Sequence, residues 1–287
     1  MTPGRRPPLS DALERALGTA VAALEPVAGG DLNDAHRARL ADGRTLFVKT
    51  GTGGYAAEAA GLRWLAEARA LPVAEVVAVE DDAFLALAWI DRGRLDAGGE
   101  EELGRGLAAL HAAGAPAHGH TPDGGPLRLG PLTVPSAPGA TWAEVHAHQR
   151  LAPLLRAARD RGAVDAAGAA AVERVIARID DLAGPPEPPA RLHGDLWWGN
   201  VLAGAGGRAH LVDPAAHGGH REVDLAMLAL FGGLAPRARA AYEEAAPLAA
   251  GHAGRVALWQ LFPLLVHAVL FGGGYGASAA RAATALA

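Results

Sequence analysis

The sequence predicts an α+β protein of two lobes, a small β-rich lobe over residues 1–92 and a large, mainly helical lobe over residues 93–287. Up to about Ile90, short apolar strands with turn residues between them are interrupted by two helical segments. After that point, apolar residues recur every three to four positions over several long segments. A stretch rich in Pro and Gly, residues 114–140, is longer than an ordinary connection in a compact domain.

The N-terminal elements follow from local signals. "PLSDALERALG" predicts a capped helix that begins near Ser10 or Asp11 and ends by Gly18. "PVAGGDLNDAHRARLADGRTLFVKT" predicts two strands joined at the turn "ADGR". "YAAEAAGLRWLAEAR" predicts a helix, and "VAEVVAVED" and "AFLALAWI" predict two further strands. The expected order in this lobe is therefore helix, two strands, helix and two or three strands.

The C-terminal elements are mostly helical. "EEELGRGLAALHAAG", "TWAEVHAHQRLAPLLRAARDRG" and "DAAGAAAVERVIARIDDLAG" predict helices, and "GPPEPP" ends the last of them. "NVLAGAGGRAHLVD" predicts a hairpin with Gly at its turn. Everything after about Glu222 is expected to be helical. Trp259, Phe262 and Phe271 are expected to belong to the core.

Composition excludes several functions. A net charge of −5 and a pI near 6.2 argue against nucleic acid or an anionic membrane as the main partner. We find no long uncharged apolar span and no signal-peptide core. The chain has no cysteine, which excludes disulfides and thiolate metal sites and is compatible with a reducing cytoplasm. We expect a cytoplasmic protein, with a monomer favoured.

The segment "RLHGDLWWGN", residues 191–200, carries the chemistry. Asp195 and Asn200 are five positions apart, and Asp213 lies on the returning strand of the hairpin, near the level of Asn200. A carboxylate and an amide oxygen suit Mg²⁺ when substrate phosphates supply the other ligands, and Asp195 could then accept a proton from a substrate hydroxyl. By itself this spacing is frequent by chance, and simple burial would explain the two tryptophans.

Signals in the N-terminal lobe strengthen the hypothesis. Lys49 ends the strand "TLFVK", and Glu58 on the next helix could hold it in an ion pair beside nucleotide phosphates. The segment "GGDLNDAHR" precedes that strand, and its backbone amides could approach the phosphates. The nucleotide site is expected to include, from this segment and from the last strand of the lobe, Gly29, Gly30, Asn33, Leu87 and Trp89.

The chain resembles the fructosamine kinases, also called ketosamine-3-kinases, which belong to the aminoglycoside-phosphotransferase-like branch of the protein-kinase fold. The resemblance is carried by "GGDLNDAHR", "FVKT", "EAAGLRWL", "HGDLWWGN", "DPA", "GHREVDLAMLALFGG" and "QLFPLLVHAVLFGGGY", which span most of the chain. It implies a protein-kinase-like bilobal fold. It also implies transfer of phosphate from ATP, with Mg²⁺, to the 3-hydroxyl of a ketosamine, either free or on a glycated protein lysine.

The resemblance also implies roles for individual residues. Asp195 would be the base, Asn200 and Asp213 the metal ligands, Lys49 the phosphate contact and Glu58 its partner. Beyond this set, we expect roles for three further residues. Trp197 would offer a stacking wall to the sugar, while His193 and Asp224 would support the catalytic loop by packing and hydrogen bonds.

The sequence departs from the family pattern at three places and from the protein-kinase pattern at a fourth. His217 and Gly218 stand where relatives often have tyrosines, and residues 114–140 lack the expected pattern of aromatic residues with Asn. Both regions are expected to border the acceptor. Asp31 occupies the position where some relatives have a redox-active cysteine. Gly194 replaces the Arg that precedes the base in many protein kinases, so we expect no activation by phosphorylation.

Other functions stay open. "GTGGYAAEAAG" matches a dinucleotide-binding signature, although the βαβ series that it requires does not follow. Paired histidines suggest zinc, but two positions apart on a helix they point in different directions. A kinase for an aminoglycoside or a choline-like alcohol is the main alternative. A non-catalytic nucleotide-binding pseudokinase is a distant one, because the set of Lys49, Asp195, Asn200 and Asp213 is intact.

Overall fold

The computed structural model describes residues 8–27, 33–51 and 53–286, and it confirms an α+β architecture with a β-sheet lobe and a mainly helical remainder. The strands are β1 (Val21–Pro26), β2 (Asp34–Leu40), β3 (Thr45–Thr50), β4 (Val76–Glu80), β5 (Phe84–Ala88), β6 (Leu127–Leu129), β7 (Leu132–Val134), β8 (Ala190–Leu192), β9 (Val201–Ala203), β10 (Ala209–Leu211) and β11 (His217–Gly219). The helices are α1 (Leu9–Leu17), α2 (Tyr55–Glu67), α3 (Ala97–Ala112), α4 (Trp142–Val145), α5 (Ala152–Asp160), α6 (Ala166–Ala177), α7 (Ile179–Leu182), α8 (Glu222–Leu230), α9 (Pro236–Ala245), α10 (His252–Phe271) and α11 (Tyr275–Leu286).

The N-terminal sheet has five strands in the order β1-β2-β3-β5-β4, and neighbouring strands are antiparallel. The edge strand β1 was not predicted. Its side chains are only half-buried or exposed and Pro26 ends it, so the alternation that signals a strand is weak. These strands do not form the parallel βαβ series that the dinucleotide-binding alternative requires. The glycines before α2 serve a turn instead, with φ of +72° at Gly53 and +76° at Gly54.

The helical lobe is organised around α10, which packs against α5, α8 and α11. Trp259 and Phe262 are buried in it, as expected, but Phe271 is 48% exposed and lies outside the core. Contrary to the expectation from the sequence, α10 is long and apolar enough to cross a membrane. In the structure 61% of that apolar window is buried inside the protein, as in a core helix.

Residues 114–140, called the arm below, contain more structure than a loop. The hairpin β6–β7 lies within it, and Leu127 and Val134 at its base are buried in the core of the helical lobe. The side chain of Gln149 accepts from the amide of Ala137 and donates to its carbonyl, at 2.6 and 3.0 Å. Short strands are hard to predict here because Pro and Gly surround them.

Candidate active site

A cleft of about 700 Å³ lies between the sheet and the helical lobe, and most of the sequence-predicted site residues line it. Lys49 comes from β3, Glu58 from α2, and Asp195 and Asn200 from the segment between β8 and β9. The structure therefore brings together groups that are up to 164 positions apart in the chain. Gly29 and Gly30 lie outside the described residues.

Lys49 is held between two carboxylates. Its Nζ donates to Glu58 Oε1 and Oε2 at 2.9 Å and to Asp213 Oδ1 at 3.1 Å. Burial alone would lower the pKa of Lys49, but the charges of Asp213 and Glu58 outweigh it and raise that pKa. Lys49 thus stays a cation although its residue is only 7% exposed. Burial, together with the charge of Asp213, raises the pKa of Glu58.

Asn200 joins the two aspartates. Its Nδ2 donates to the backbone oxygen of Asp195 at 2.8 Å, to Asp195 Oδ2 at 3.1 Å and to the backbone oxygen of Asp213 at 3.4 Å. Its Oδ1 accepts no hydrogen bond from a described residue and is free to act as an oxygen ligand. Lys49, Glu58, Asp195, Asn200 and Asp213 form one connected set, which we call the floor of the cleft.

Asp195 has the electrostatics of a proton acceptor. Burial raises the pKa of Asp195 to about 7, with a further contribution from Asp213 and Asp224, while the hydrogen bond from Asn200 lowers it. A carboxyl group whose pKa lies near the working pH can both take up a proton and exist largely as the base. Among the described residues no group donates a hydrogen bond to its Oδ1, and Asp195 lines the cleft.

The loop that carries Asp195 is fixed from below by Asp224, at the first turn of α8. The backbone amides of His193 and Gly194 donate to Asp224 Oδ2 and Oδ1 at 2.8 and 2.9 Å. His193 spans the loop, with Nε2 2.9 Å from the carbonyl oxygen of Val212 and the amide of Asp195 3.3 Å from Nδ1. Burial lowers the pKa of His193, so the ring is neutral and bonds as donor and acceptor.

The presence of glycine rather than arginine at position 194 has a steric reason. Its φ is +82°, and a Cβ there would overlap the carbonyl oxygen of Ala215 and approach Nδ1 of His217. An arginine at this position is therefore incompatible with the observed backbone. The departure from the protein-kinase pattern at this position follows from local packing.

Two supporting residues were missed at the sequence level. His111 Nε2 lies 3.2 Å from Asp224 Oδ2, and His111 Nδ1 lies 2.8 Å from the hydroxyl of Tyr242. Burial alone would raise the pKa of Asp224, but the hydrogen bond from His111 and the backbone amides lower it. Asp224 is thus an ionised, fully buried acceptor. His111 and Tyr242 stand 113 and 18 positions from Asp224, and no motif connects them.

The donor set at the floor fits a hard divalent cation. The oxygens left for such an ion by the described residues are Oδ2 of Asp213, whose side chain is 43% exposed, and Oδ1 of Asn200. Asp213 has a φ of +53°, rare for a non-glycine residue, and this turns the residue after β10 toward Lys49. These two residues would hold Mg²⁺, and the ion would neutralise phosphate charge.

The other end of the floor leads into an apolar slot beneath the sheet. This part of the cleft has apolar side chains of the kind that would contact a flat nucleobase, from Ala35, Phe47, Leu87 and Leu202. Of the nucleotide-site residues predicted from the sequence, Asn33, Leu87 and Trp89 line the cleft; Asn33 accepts from the hydroxyl of Tyr55 at 3.2 Å. The guanidinium of Arg37 lies 4.7 Å from the ring centre of Trp89.

The opposite end of the cleft is aromatic. Trp197 is 39% exposed and packs over Gly199, and Trp198 turns away, with Nε1 donating to the carbonyl oxygen of Gly233 at 2.7 Å. A series of rings 4.9–5.7 Å apart continues from Trp197, and we call it the aromatic wall: Trp197, Phe231, His267, Phe271 and Tyr275. Phe271, expected in the core, therefore lines the cleft.

Fold and site together define a phosphotransferase of protein-kinase-like fold that acts on an alcohol group. A lysine–glutamate pair from the sheet lobe meets an aspartate, an asparagine and a second aspartate from the helical lobe, which is the arrangement of phosphoryl transfer in kinases. The family model for fructosamine kinase matches residues 7–286. The chain belongs to the fructosamine kinase family.

Individual relatives agree with this assignment. A probable ketoamine kinase of Thermus thermophilus is 36% identical over 267 residues, with 91% of this chain and 92% of that protein covered. A crystal structure described as a fructosamine-3-kinase of Thermobifida fusca superimposes with a TM-score of 0.89 at 44% identity, covering 97% of this chain and 98% of the other. The choline kinase LicA of Streptococcus pneumoniae shares the fold, with a TM-score of 0.63 at 14% identity and 97% of each chain covered.

Proposed function

We propose that the protein transfers the γ-phosphoryl group of ATP to the 3-hydroxyl of a ketosamine, with Asp195 as the base. The observation that carries this proposal is the geometry of Asp195, which is tied to Asn200 in the floor and lines the same cleft as the aromatic wall. Its pKa, raised to about 7, suits a base. Membership of a ketoamine kinase family supports the acceptor class.

The proposed reaction conserves every atom and proton. The acceptor oxygen forms a bond to the γ-phosphorus as its proton passes to Asp195, and the bond from phosphorus to the β,γ-bridging oxygen breaks to release ADP. Lys49 contacts the phosphates, and Glu58 holds Lys49 in place. Mg²⁺ on Asn200 and Asp213 would neutralise charge that builds on the phosphates. Trp197 would be the surface against which the sugar lies.

A coupled ADP-release screen tests the proposal. The acceptors would be fructoselysine, ribuloselysine and psicoselysine, with aminoglycosides and choline as competing classes, and the Asp195→Asn variant as the blank. We expect turnover of at least one ketosamine well above that of any aminoglycoside or choline. Coupling between phosphorus and the C3 proton in the NMR spectrum of the product would establish the position. Turnover of choline or an aminoglycoside without any ketosamine would contradict the proposal.

Whether the ketosamine is free or on a glycated protein is a second question. We propose that the enzyme removes sugar-derived modifications in the cell, which both kinds of acceptor would permit. The comparison of a glycated protein with its free glycated amino acid at equal ketosamine concentration would separate them. Repair of proteins requires phosphate incorporation into the glycated protein itself.

A further inference from the structure

The arm brings opposite charges to the cleft. Its 27 residues include two charged side chains, Asp123 and Arg128, and both line the cavity. Neither was predicted from the sequence, and neither belongs to the floor. Asp123 is exposed, and its Oδ1 accepts from the amide of Gly125 at 3.1 Å. Arg128, by contrast, is half-buried.

Arg128 is a cation without an acidic partner. Its side chain forms no hydrogen bond or ion pair with the part of the chain that the structure describes. Its guanidinium reaches across the cleft to Gly54, where a Cβ would overlap it. A guanidinium that is partly removed from water, with five donors unused, favours an anion, and a planar carboxylate matches its fork.

The arm holds Arg128 in place. The neighbouring Leu127 is buried in the core, and β6 pairs with β7 through Arg128 and Thr133. Further along, Arg150 donates to the carbonyl oxygen of Pro135 and to the hydroxyl of Ser136. A guanidinium on such a support loses less conformational entropy when it binds a ligand.

The hairpin that carries Arg128 lies beside the proposed base. Leu129, the next residue, borders the small space beside Asp195 together with Val266 and His267. The phosphates have their own cation in Lys49, on the opposite lobe. An anion on Arg128 would therefore belong to the acceptor, beyond the reacting hydroxyl.

We propose that Arg128 binds a carboxylate of the acceptor, so that the preferred substrates are ketosamines of free amino acids. This inference rests on the proposed function. In such a molecule the amino-acid carboxylate lies a few bonds from the sugar, whereas a ketosamine on a lysine within a protein has no free carboxylate there. Arg128 is a specificity-determining residue, separate from the groups that perform the transfer.

A matched pair of acceptors tests the proposal. N-fructosylglycine and N-fructosylglycinamide differ only in a carboxylate that becomes a carboxamide. We expect the wild-type kcat/KM to favour the carboxylate by roughly 10-fold or more, the size of a hydrogen-bonded charge pair at a partly exposed site. Arg128→Gln should bring the two values within about 2-fold, mainly through KM, and Arg128→Lys should restore part of the preference. Arg92→Gln, which removes another cation lining the cleft, should leave the ratio unchanged.

The possible results distinguish a failure of the Arg128 inference from a failure of the proposed function. Equal kcat/KM values for the pair in the wild type, or a preference that survives Arg128→Gln, would overturn the inference and leave the proposed function intact. A fall in kcat on both acceptors by the same factor would instead place Arg128 on the transferred phosphoryl group. If the wild type phosphorylates neither compound nor any other ketosamine, the proposed function itself fails. The wild-type pair decides the matter even if the variant does not fold.

Discussion

The floor of the cleft and its acceptor side are built in opposite ways. At the floor, Lys49, Asn200 and the carboxylates are joined by hydrogen bonds of 2.8–3.4 Å, and Asp224 fixes the loop beneath them. On the acceptor side, the side chain of Arg128 has no partner among the described residues, and Trp197 and Phe271 are exposed.

This difference matches what each side has to do. Phosphoryl transfer needs groups at fixed distances before the substrate arrives, because positioning supplies much of the rate. Recognition needs surface that is completed by the substrate, so exposed rings and an unpaired cation are tolerated there. Substitutions at the floor should therefore lower kcat, and substitutions on the acceptor side should raise KM.

The largest effect is expected at Asp213. Asp213→Ala should lower turnover by roughly 10³-fold or more, because the triphosphate loses a metal ligand and its alignment. Lys49 keeps Glu58, so the protein should remain folded. Asp160→Ala, at an exposed position on α5, is the matched control and should have wild-type activity. Activity that persists in EDTA would show that the reaction does not need a divalent ion.

The second-largest effect is expected for Asp195→Asn. The amide keeps the shape of the side chain but not its affinity for a proton, so turnover should fall by about 10²–10⁴-fold while nucleotide affinity survives. Turnover would be measured by ADP release and affinity by calorimetry with a non-hydrolysable ATP analogue. Wild-type turnover in this variant would mean that another group takes the proton.

The two neighbouring tryptophans provide the next test. Trp197→Ala should raise the KM for the ketosamine by about 5- to 100-fold, a loss of roughly 1–3 kcal/mol of apolar and stacking contact, with the KM for ATP nearly unchanged. Trp198→Ala should lower the melting temperature instead, because it leaves a cavity and removes the hydrogen bond to Gly233. If the two phenotypes are exchanged, the assignment of the tryptophans is reversed.

The sequence predicts the floor of the cleft better than the acceptor side. The part of the floor that comes from the helical lobe could be predicted because Asp195, Asn200 and Asp213 flank one hairpin, β9–β10, where spacing limits their geometry. The acceptor side could not, because Phe231, Phe271 and Arg128 come from three distant segments and only packing brings them together. Phe271 continues the apolar pattern of α10 and has the same signature as a core residue. His111 was missed since a histidine within a helix gives no sign of its buried partner.

The smallest effect concerns Asp195 and Asp224, whose pKa values are shifted in opposite directions. Asp195 has a folded-state pKa of about 7, above its unfolded value of 3.8, so its contribution to stability is complete below pH 3.8 and is lost as the pH rises toward 7. Asp224 has a lowered pKa, so its contribution is present above pH 3.8 and is lost as the pH falls through its folded value.

Asp195→Asn should therefore stabilise the ligand-free protein at pH 8, because it removes a half-buried carboxylate that is held ionised at a cost. We expect the melting temperature to rise by roughly 2–4 °C, equivalent to about 1 kcal/mol, and the gain to disappear near pH 4. Asp224→Asn should do the reverse and lower the melting temperature at pH 8, since two backbone amides and His111 lose an ionised acceptor. Scanning fluorimetry of both variants from pH 4 to 8 gives the comparison. A destabilised Asp195→Asn protein at pH 8 would mean that Asp195 supports the fold as Asp224 does, and that its pKa is not raised.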